Sequence, residues 1–324
     1  MRVKGCVVVV TGASSGIGRA TALRFAREGA DVVLAARRGQ ALETVAEECR
    51  RHGGRALAVV TDVTDAAAVN RLAQQAVSSF GRIDVWVNIA SVTVFGPLLA
   101  TPMEDFRRVI DVNVMGYVHG ARAALEHMRR QGSGVLVNVS SVVGEIAQPY
   151  TPAYSMAKAA VRALSVSLRS ELWLDGARDI HVVTVLPATY DTPFFQQAAN
   201  NSGRRAQPIP PLNAPSRAAR GIVGAVRRPR RDVTVGLGGK LMRAQHRVAP
   251  ALTETMMAVL VDRTHLSPTH SAPPTSGTLY EPSSDERLAQ VTGGWGGRRR
   301  TAVRTLAGAG ALVGGGLTLR RRRR

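Results

Sequence analysis

The chain has 324 residues, of which 45% are hydrophobic and 20% are charged. This is enough apolar material for a buried core and too little charge for a disordered chain. Two cysteines, Cys6 and Cys49, are too few for a disulfide framework, and no C-x-x-C pair or other metal motif occurs. The first residues lack a secretory apolar region and cleavage site, which predicts a cytoplasmic protein.

The positive charge is concentrated in the last third of the sequence. The net charge is +20, and residues 1–195 carry 21 Lys and Arg against 17 Asp and Glu, whereas residues 196–324 carry 22 against 6. This asymmetry predicts an ordinary folded domain followed by a basic extension, and we place the two at residues 1–240 and 241–324.

Short apolar runs alternate with segments of helical periodicity up to Pro187. The strands are predicted at Cys6–Val10, Asp31–Ala36, Ala56–Val60, Ile83–Val87, Gly134–Val139 and Ile180–Leu186. The helices are predicted at Ile17–Glu28, Gln40–His52, Ala66–Phe80, Met103–Arg130 and Tyr154–Leu174. The predicted fold class is therefore α/β: a doubly wound, Rossmann-like parallel sheet with helices on both faces, in a single domain with a C-terminal extension.

The pattern is less regular beyond Pro187. A proline-rich loop or lid is predicted at 207–215, a helix at Ser216–Arg228 and a strand at Asp232–Gly236. Residues 240–262 have mixed helical character.

The end of the extension has two interpretations. Residues 267–300 are rich in Pro, Ser, Thr and Gly and are predicted to be poorly ordered. The apolar stretch Thr305–Leu319, followed by five arginines, is shorter than the ~20 residues that span a bilayer. It is either a disordered basic tail or a peripheral contact with an anionic membrane. No motif indicates a specific nucleic-acid partner.

A glycine-rich turn, Thr11–Gly18, lies between the first strand and the first helix. Glycines permit a tight turn and let a pyrophosphate approach the backbone, while the helix N-terminus offers free N–H groups. The turn also matches the G-x-S-x-G elbow of serine hydrolases. The elbow would lie on the first strand with nothing upstream to supply a second oxyanion donor, which favours a dinucleotide site.

The end of the second strand indicates which dinucleotide is bound. An NAD site usually has a carboxylate there, but this strand ends in Arg37 and Arg38. Guanidinium groups bind phosphate well, so the pair predicts a preference for NADP, against the alternative of two solvated surface arginines. Asp62, at the end of the third strand, is a candidate contact for the adenine ring.

Tyr154 and Lys158 are four residues apart on a predicted helix and so lie on one face. A free phenol has a pKa of ~10, and a nearby ammonium would lower it toward neutrality. The pair alone is also consistent with an ordinary surface helix. Ser141 follows the fifth strand and Asn113 lies within the preceding long helix. These two residues favour a catalytic pair over an ordinary surface pair.

With these motifs in order, the chain resembles the short-chain dehydrogenase/reductase family over about residues 5–240. The matching positions are Thr11–Gly18, Asp62-Val63, Asn88 with Ala90, Asn113, Ser141, Tyr154, Lys158, and Pro187 followed by Asp191-Thr192-Pro193.

The resemblance implies roles for the four candidate catalytic residues. Tyr154 would be the general acid in reduction and the base in oxidation, and Lys158 would hold the nicotinamide ribose and lower the pKa of Tyr154. Ser141 would hydrogen-bond the substrate oxygen, and Asn113 would hold a water that links Lys158 to solvent. The candidate cofactor-binding residues are Gly12, Ser14, Ser15, Gly16, Ile17, Gly18, Arg37, Arg38, Asp62, Val63, Asn88, Ala90, Tyr154, Lys158, Pro187 and Thr192.

The sequence departs from the family pattern at three positions. Ile89 and Ser91 stand in the family's Asn-Asn-Ala-Gly motif, and Ala188 stands where Gly follows Pro187. We interpret the changes as tuning by lost polarity and added bulk; the alternative is a weak or inactive enzyme.

The predicted function is an oxidoreductase that transfers a hydride between NADP(H) and a carbonyl or secondary alcohol. The segment Pro193–Pro215, with Phe194 and Phe195, suggests an apolar small-molecule substrate. By analogy with the family, Met103–Arg130 and Tyr154–Leu174 would pair copies into a homodimer or homotetramer. The alternative is a nucleotide-binding scaffold, docked to a membrane or partner through its basic tail, with weak or no catalysis.

Overall fold

A computed structural model describes residues 1–296 of the chain. Seven parallel strands form one central sheet in the order β3-β2-β1-β4-β6-β7-β10. These strands are β1 (Val7–Thr11), β2 (Asp31–Ala36), β3 (Ala56–Val60), β4 (Val85–Asn88), β6 (Gly134–Val139), β7 (Ile180–Pro187) and β10 (Asp232–Val235). The doubly wound, Rossmann-like α/β fold predicted from the sequence is thereby confirmed.

Helices and short strands complete the described part of the chain. The α-helices are α1 (Gly16–Arg27), α2 (Gly39–Arg50), α3 (Ala66–Phe80), α4 (Met103–Ile110), α5 (Gly116–Gln131), α6 (Pro152–Leu174), α7 (Phe194–Gln197), α8 (Pro215–Arg227), α9 (Leu237–Val248) and α10 (Pro250–Leu260). Two small sheets pair β5 (Val94–Phe95) with β8 (Ala199–Asn200), and β9 (Arg204–Ala206) with β11 (Leu266–Ser271).

Both faces of the central sheet are buried. Along β1, Val8 and Val10 pack into the core on one face, whereas Val7 and Val9 pack into the core on the other. All five residues of β1 are buried. A strand with period-two alternation between two apolar cores is apolar throughout, which explains the continuous valine run in the sequence.

The strand order reverses beside β1, and this places the site. The chain builds β1, β2 and β3 outward on one side and then returns to add β4 on the other side of β1. The loops after β1 and β4 therefore diverge and leave a crevice at the carboxyl ends of the strands. They approach so closely that a Cβ on Gly12 would lie 2.8 Å from the Cα of Ala90.

The helix predicted over Met103–Arg130 is interrupted. Helix α4 passes into a five-residue π-helical turn, Asp111–Met115, before α5 begins at Gly116. Apolar periodicity continues through such a turn, so the sequence pattern does not reveal it. The turn contains Asn113, and single π-turns of this kind occur frequently at functional sites.

The end of the chain departs most from expectation. Helix α9 spans the boundary placed at residue 240, and the segment predicted to be poorly ordered is folded up to residue 296. After β11, residues 272–296 run across the mouth of the crevice, and we call them the C-terminal strap. Thr305–Leu319 and the terminal arginines lie outside the described residues. Within residues 1–296 no helix is both long enough and apolar enough to cross a bilayer.

Candidate active site

The glycine turn has the backbone that a phosphate-binding turn needs. Gly12 and Gly16 have φ angles of +67° and +54°, in the left-handed region that favours glycine. A Cβ on Gly18 would lie only 2.1 Å from the Gly12 carbonyl oxygen, so the turn requires glycine there as well. The turn ends at the N-terminus of α1, where the first amides have no partner within the helix.

Thr11, which the sequence analysis treated only as part of the motif, ties this turn to the loop after β4. Its hydroxyl oxygen accepts hydrogen bonds from the amides of Ile89 (3.1 Å) and Ala90 (3.3 Å). The same hydroxyl donates to the carbonyl of Val87. The two walls of the crevice are therefore fixed to each other by one buried side chain.

The two arginines after β2 have different environments. Arg37 donates to the carbonyl oxygens of Thr278 (2.6 Å) and Tyr280 (2.5 Å) in the strap. Arg38 approaches Ser14, with 3.3 Å between Nη2 and the serine Oγ, while its Nη1 is buried without a hydrogen-bond partner. Burial lowers the pKa of both guanidinium groups. Arg38 thus has an unused donor beside the glycine turn.

Asp62 is held in place at the end of β3. Its carboxylate accepts from the Thr64 amide and hydroxyl and pairs with Arg108 at 2.9 Å. Burial raises the pKa of Asp62, but the hydrogen bonds from Thr64 and Arg108 outweigh it and lower the pKa below its usual value. Asp62 and Val63 line the crevice as predicted, whereas Arg108 was not foreseen because its partner is 46 residues away.

Asn88 was predicted to bind the cofactor, but the structure places it within the protein rather than on the wall of the crevice. Its amide nitrogen donates to the Asn138 side chain (2.9 Å) and the Tyr117 carbonyl (3.2 Å). Its oxygen accepts from the Trp86 indole at 2.8 Å. The crevice is lined instead by the next residues, Ile89 and Ala90, so Asn88 supports the site through strand β6.

Tyr154 and Lys158 lie together on α6, at the bottom of the crevice. The Lys158 Nζ is 5.5 Å from the centre of the Tyr154 ring and hydrogen-bonds to the Tyr117 hydroxyl (3.1 Å) and the Val139 carbonyl (3.0 Å). Lys158 is only 1% exposed. Burial lowers its pKa from 10.5 to about 7.

The pKa of Tyr154 does not follow the expectation from sequence. Burial raises it to about 12, and hydrogen bonds to Ser141 and Ser91 oppose the increase without cancelling it. The predicted lowering by Lys158 is absent because the ammonium is bonded to Tyr117 and Val139, and because burial disfavours its charge.

Ser91 contributes a hydroxyl to the site, although from the sequence it was expected only to add volume beside the cofactor. Its Oγ lies 3.1 Å from the Asn113 side-chain oxygen and also reaches Tyr154, so its single proton can be donated to either the Asn113 oxygen or the Tyr154 phenolate. Asn113 is fully buried, accepts from the Val92 amide and donates to the Val92 carbonyl. A chain of side-chain contacts therefore runs from Tyr154 through Ser91 to Asn113 in the π-turn.

The crevice continues into a cavity of about 570 Å³. Every predicted cofactor-binding residue except Asn88 lines it, including Pro187 and Thr192, and so does Ser141. Beyond Tyr154 the lining becomes largely apolar, with Val142, Phe95, Phe194, Phe195, Met242, Met257 and Leu260. Among the residues 1–296, no group of His, Cys, Asp and Glu could hold a metal ion.

These features fit a nicotinamide dinucleotide. The glycine turn is a cradle that any Cβ at Gly12 or Gly18 would fill, and the buried unpaired Nη1 of Arg38 lies beside it. The acid–base pair Tyr154 and Lys158 lines the same cavity.

Comparison with known proteins identifies the family. Residues 6–203 match the profile described as short chain dehydrogenase. The chain belongs to the short-chain dehydrogenase/reductase family. As a member of it, the chain is an oxidoreductase of CH–OH and C=O groups that uses a nicotinamide dinucleotide.

Three similar proteins illustrate this short-chain dehydrogenase/reductase's relationships. An uncharacterized oxidoreductase, YxnA, of Bacillus subtilis (strain 168) is 34% identical over 296 residues, covering 91% of this chain and 83% of that protein. The alignment therefore includes most of the extension.

Two proteins of known structure are each 27% identical to this chain. An alcohol dehydrogenase from Thermococcus sibiricus, complexed with 5-hydroxy-NADP, matches with a TM-score of 0.62 over 71% of this chain and 95% of that one. A short-chain dehydrogenase/reductase from Burkholderia phymatum, in complex with NAD, matches with a TM-score of 0.67 over 76% and 96%.

Proposed function

We propose that this chain interconverts an apolar ketone and its secondary alcohol with NADP(H), using Tyr154 as the acid–base catalyst. The observation that carries the proposal is the cluster around Tyr154, whose hydroxyl is bonded to Ser141 and Ser91 above a buried Lys158. This cluster lies where the dinucleotide half of the cavity meets its apolar half.

The preference for NADP rests on Arg38. No carboxylate follows β2, and the unpaired buried Nη1 of Arg38 beside Ser14 is a donor suited to a 2′-phosphate. Arg37 supports the site differently from our first expectation, because its guanidinium is engaged by strap carbonyls. The reported neighbours bind NAD in one case and 5-hydroxy-NADP in the other, so the preference is tested below through this residue.

The apolar substrate preference rests on the lining of the cavity beyond Tyr154. The centre of the Phe194 ring lies 5.7 Å from that of the Tyr154 ring. The Phe195 ring packs edge-on against the Phe194 ring, with 5.6 Å between their centres. Aliphatic and methionine side chains also line the cavity. Such a surface binds hydrocarbon rings or chains and disfavours small charged ketones.

Each residue has a defined role in this proposal. The bound dinucleotide supplies or accepts the hydride. The Tyr154 hydroxyl donates a proton to the substrate oxygen during reduction and removes one during oxidation. Ser141 donates a hydrogen bond to that oxygen and stabilises its negative charge. Lys158 holds the ribose, and its pKa of about 7 lets it take up and release a proton near neutral pH.

The proposal extends to the setting of the protein. A homodimer or homotetramer formed through α5 and α6, acting in the cytoplasm on a small molecule, would be typical of the family. The alternative of a scaffold without catalysis is not favoured, because every position of the predicted catalytic set is filled and gathered near the cavity.

Replacing Tyr154 with Phe should lower kcat by about 10²–10⁴-fold while leaving NADPH binding intact, because only the proton donor is lost. Turnover of a bulky cyclic ketone and NADPH fluorescence titration measure the two quantities. Tyr150→Phe is the matched control, since its hydroxyl donates to Asp262 outside the reacting cluster. Full activity of Tyr154→Phe would refute the proposed proton path.

A further inference from the structure

The C-terminal strap follows the dinucleotide crevice along its whole length. It makes contacts at three places: beside the end of β2, beside the glycine turn, and beside the Asp191–Thr192 segment after β7. Each place belongs to a different part of the proposed NADP(H) site, so this inference rests on the proposed function.

The first contact is at the adenine end. Arg37 and Arg108 converge on three successive strap carbonyls, those of Thr278, Leu279 and Tyr280. The Arg108 Nε lies 2.9 Å from the Leu279 oxygen, and the Leu279 side chain is 1% exposed within the core. The strap is thus anchored by buried apolar surface as well as by charge-assisted hydrogen bonds.

The second contact is at the glycine turn. The Gly16 amide donates to the Gln290 carbonyl at 3.0 Å, and Arg19 donates to the Ala289 carbonyl at 2.6 Å. Arg38 reaches the Leu288 carbonyl at 3.2 Å with the nitrogen that also faces Ser14. The strap therefore lies against the first turn of α1, where a pyrophosphate would bind.

The third contact is at the nicotinamide end. The Asp191 carboxylate accepts hydrogen bonds from three of the four strap amides at positions 293–296, those of Gly293 (3.1 Å), Trp295 (2.8 Å) and Gly296 (2.9 Å). The Gln196 side chain donates to the Gly293 carbonyl at 2.6 Å. Asp191 immediately precedes Thr192, which lines the cavity.

The strap occupies the crevice at the glycine turn, where the Gln290 carbonyl accepts from the Gly16 amide, and leaves the rest of the cavity open. The lining of the cavity includes Gly12, Gly18 and Asp62 of the crevice and the strap residues Thr278, Pro282 and Ser283. The strap therefore covers the crevice and leaves most of its volume free for a ligand.

We propose that the C-terminal strap is a structural part of the dinucleotide site, a cover that retains NADP(H) and must lift before the cofactor can leave. Because its three contacts run the length of the crevice, release requires them to break together. Cofactor exchange is therefore slow, and bound cofactor protects the strap from opening.

Two glycines allow the cover to be loosened by substitutions in the strap itself, at points where it packs against Gln197 and Thr192 of the crevice. A Cβ on Gly277 would lie 2.4 Å from the Gln197 carbonyl oxygen, and a Cβ on Gly293 would lie 2.2 Å from the Thr192 carbonyl oxygen. The double variant Gly277→Ala/Gly293→Ala must displace the strap. Thr292→Ala, at an exposed neighbouring position, is the matched control.

The test is the rate of NADPH release from the full-length protein, followed by stopped-flow fluorescence with excess NADP⁺ as competitor. We expect release from the double variant to be about tenfold faster than from wild type, and the control to be unchanged. An unchanged rate in the double variant would overturn the proposal. Tighter binding or slower release in that variant would also overturn it, because the strap would then compete with the cofactor for donors such as the Gly16 amide.

A second measurement needs no variant. Amide hydrogen exchange of residues 278–296 in wild type should slow at least about tenfold when NADPH is added, because opening and release are coupled. Exchange that NADPH does not slow would overturn the strap proposal while leaving the proposed function intact. Wild-type protein that binds neither NADPH nor NADH would instead contradict the proposed function itself.

Discussion

Two adjacent arginines illustrate how little a residue type says before its neighbours are known. The sequence places Arg37 and Arg38 together at the end of β2 and predicts one phosphate site for both. In the structure, Arg37 is saturated by main-chain carbonyls of the strap, while Arg38 keeps a buried nitrogen free of partners. The contacts of Arg37 lie more than 240 positions away in the chain, so no local pattern could predict them.

Arg38→Ala should therefore separate the two nucleotides. We expect its affinity for NADPH to fall by about 10–100-fold, the effect of losing a hydrogen bond to a charged group, and its affinity for NADH to stay within about twofold. Titration of both nucleotides measures this. Arg71→Ala, an exposed arginine on α3, serves as the control. Equal losses for NADPH and NADH would contradict a 2′-phosphate contact.

Ser91 is a departure from the family pattern whose meaning depends on orientation. From the sequence it adds volume near the cofactor, and nothing in the spacing indicates that its hydroxyl meets Tyr154 and Asn113. The structure makes it a positioning residue: its hydrogen bond to Tyr154 limits the rise that burial causes in the phenol pKa, which still reaches about 12.

Ser91→Ala should consequently move the rising limb of the oxidation profile, where Tyr154 loses its proton, to higher pH. The hydrogen bond that favours the phenolate is lost, and the shift should be roughly half to one pH unit. The pH dependence of kcat/KM for alcohol oxidation measures it. Ser91→Thr keeps a hydroxyl and should restore the wild-type profile. A uniform loss of rate with no shift of the profile would mean that Ser91 acts only through packing.

At the scale of elements, the periodicity of apolar residues predicted the strands and helices that bury an apolar face. The central strands and the helices that cover them were located to within a few residues, because each must bury an apolar face with its own period. The π-turn at Asp111–Met115 was missed because it interrupts hydrogen bonding without interrupting the apolar pattern. The close packing of α5 on β4 was likewise hidden: a Cβ on Gly120 would lie 2.2 Å from the Asn88 side chain.

The strap lies within residues 267–300, which were predicted to be poorly ordered because they are rich in Pro, Ser, Thr and Gly. Its order comes from partners outside the segment, chiefly arginines and Asp191 in the preceding domain. Composition indicates whether a segment can fold by itself, whereas this segment is ordered by its contacts with the crevice.

At the scale of the whole molecule, the site has a cost in stability that depends on pH. Lys158 is one of three lysines, and its folded pKa of about 7 is below its unfolded value of about 10.5. Between these values the unfolded chain holds a proton that the folded chain has released. The contribution of Lys158 to the free energy of unfolding therefore increases as the pH rises from about 7 to about 10.

Lys158→Met should remove this dependence. Between pH 7 and pH 10, the stability of wild type relative to the variant should rise by up to about 1.4 kcal/mol per pH unit. Urea denaturation at several pH values measures the difference. Lys240→Met, at an exposed lysine, should run parallel to wild type throughout. A constant difference between wild type and Lys158→Met across this range would show that Lys158 stays charged when buried.

The strap presents mainly its peptide groups to the domain, and its side chains contribute less. Carbonyls from Thr278, Leu279, Tyr280, Leu288, Ala289 and Gln290, and amides near Trp295, make the contacts along the crevice. An alanine scan across these positions would leave most of those bonds in place and would understate the importance of the segment. A strap of different sequence could therefore follow the same path, provided that it keeps its glycines and that the domain keeps the arginines that donate hydrogen bonds to the strap carbonyls.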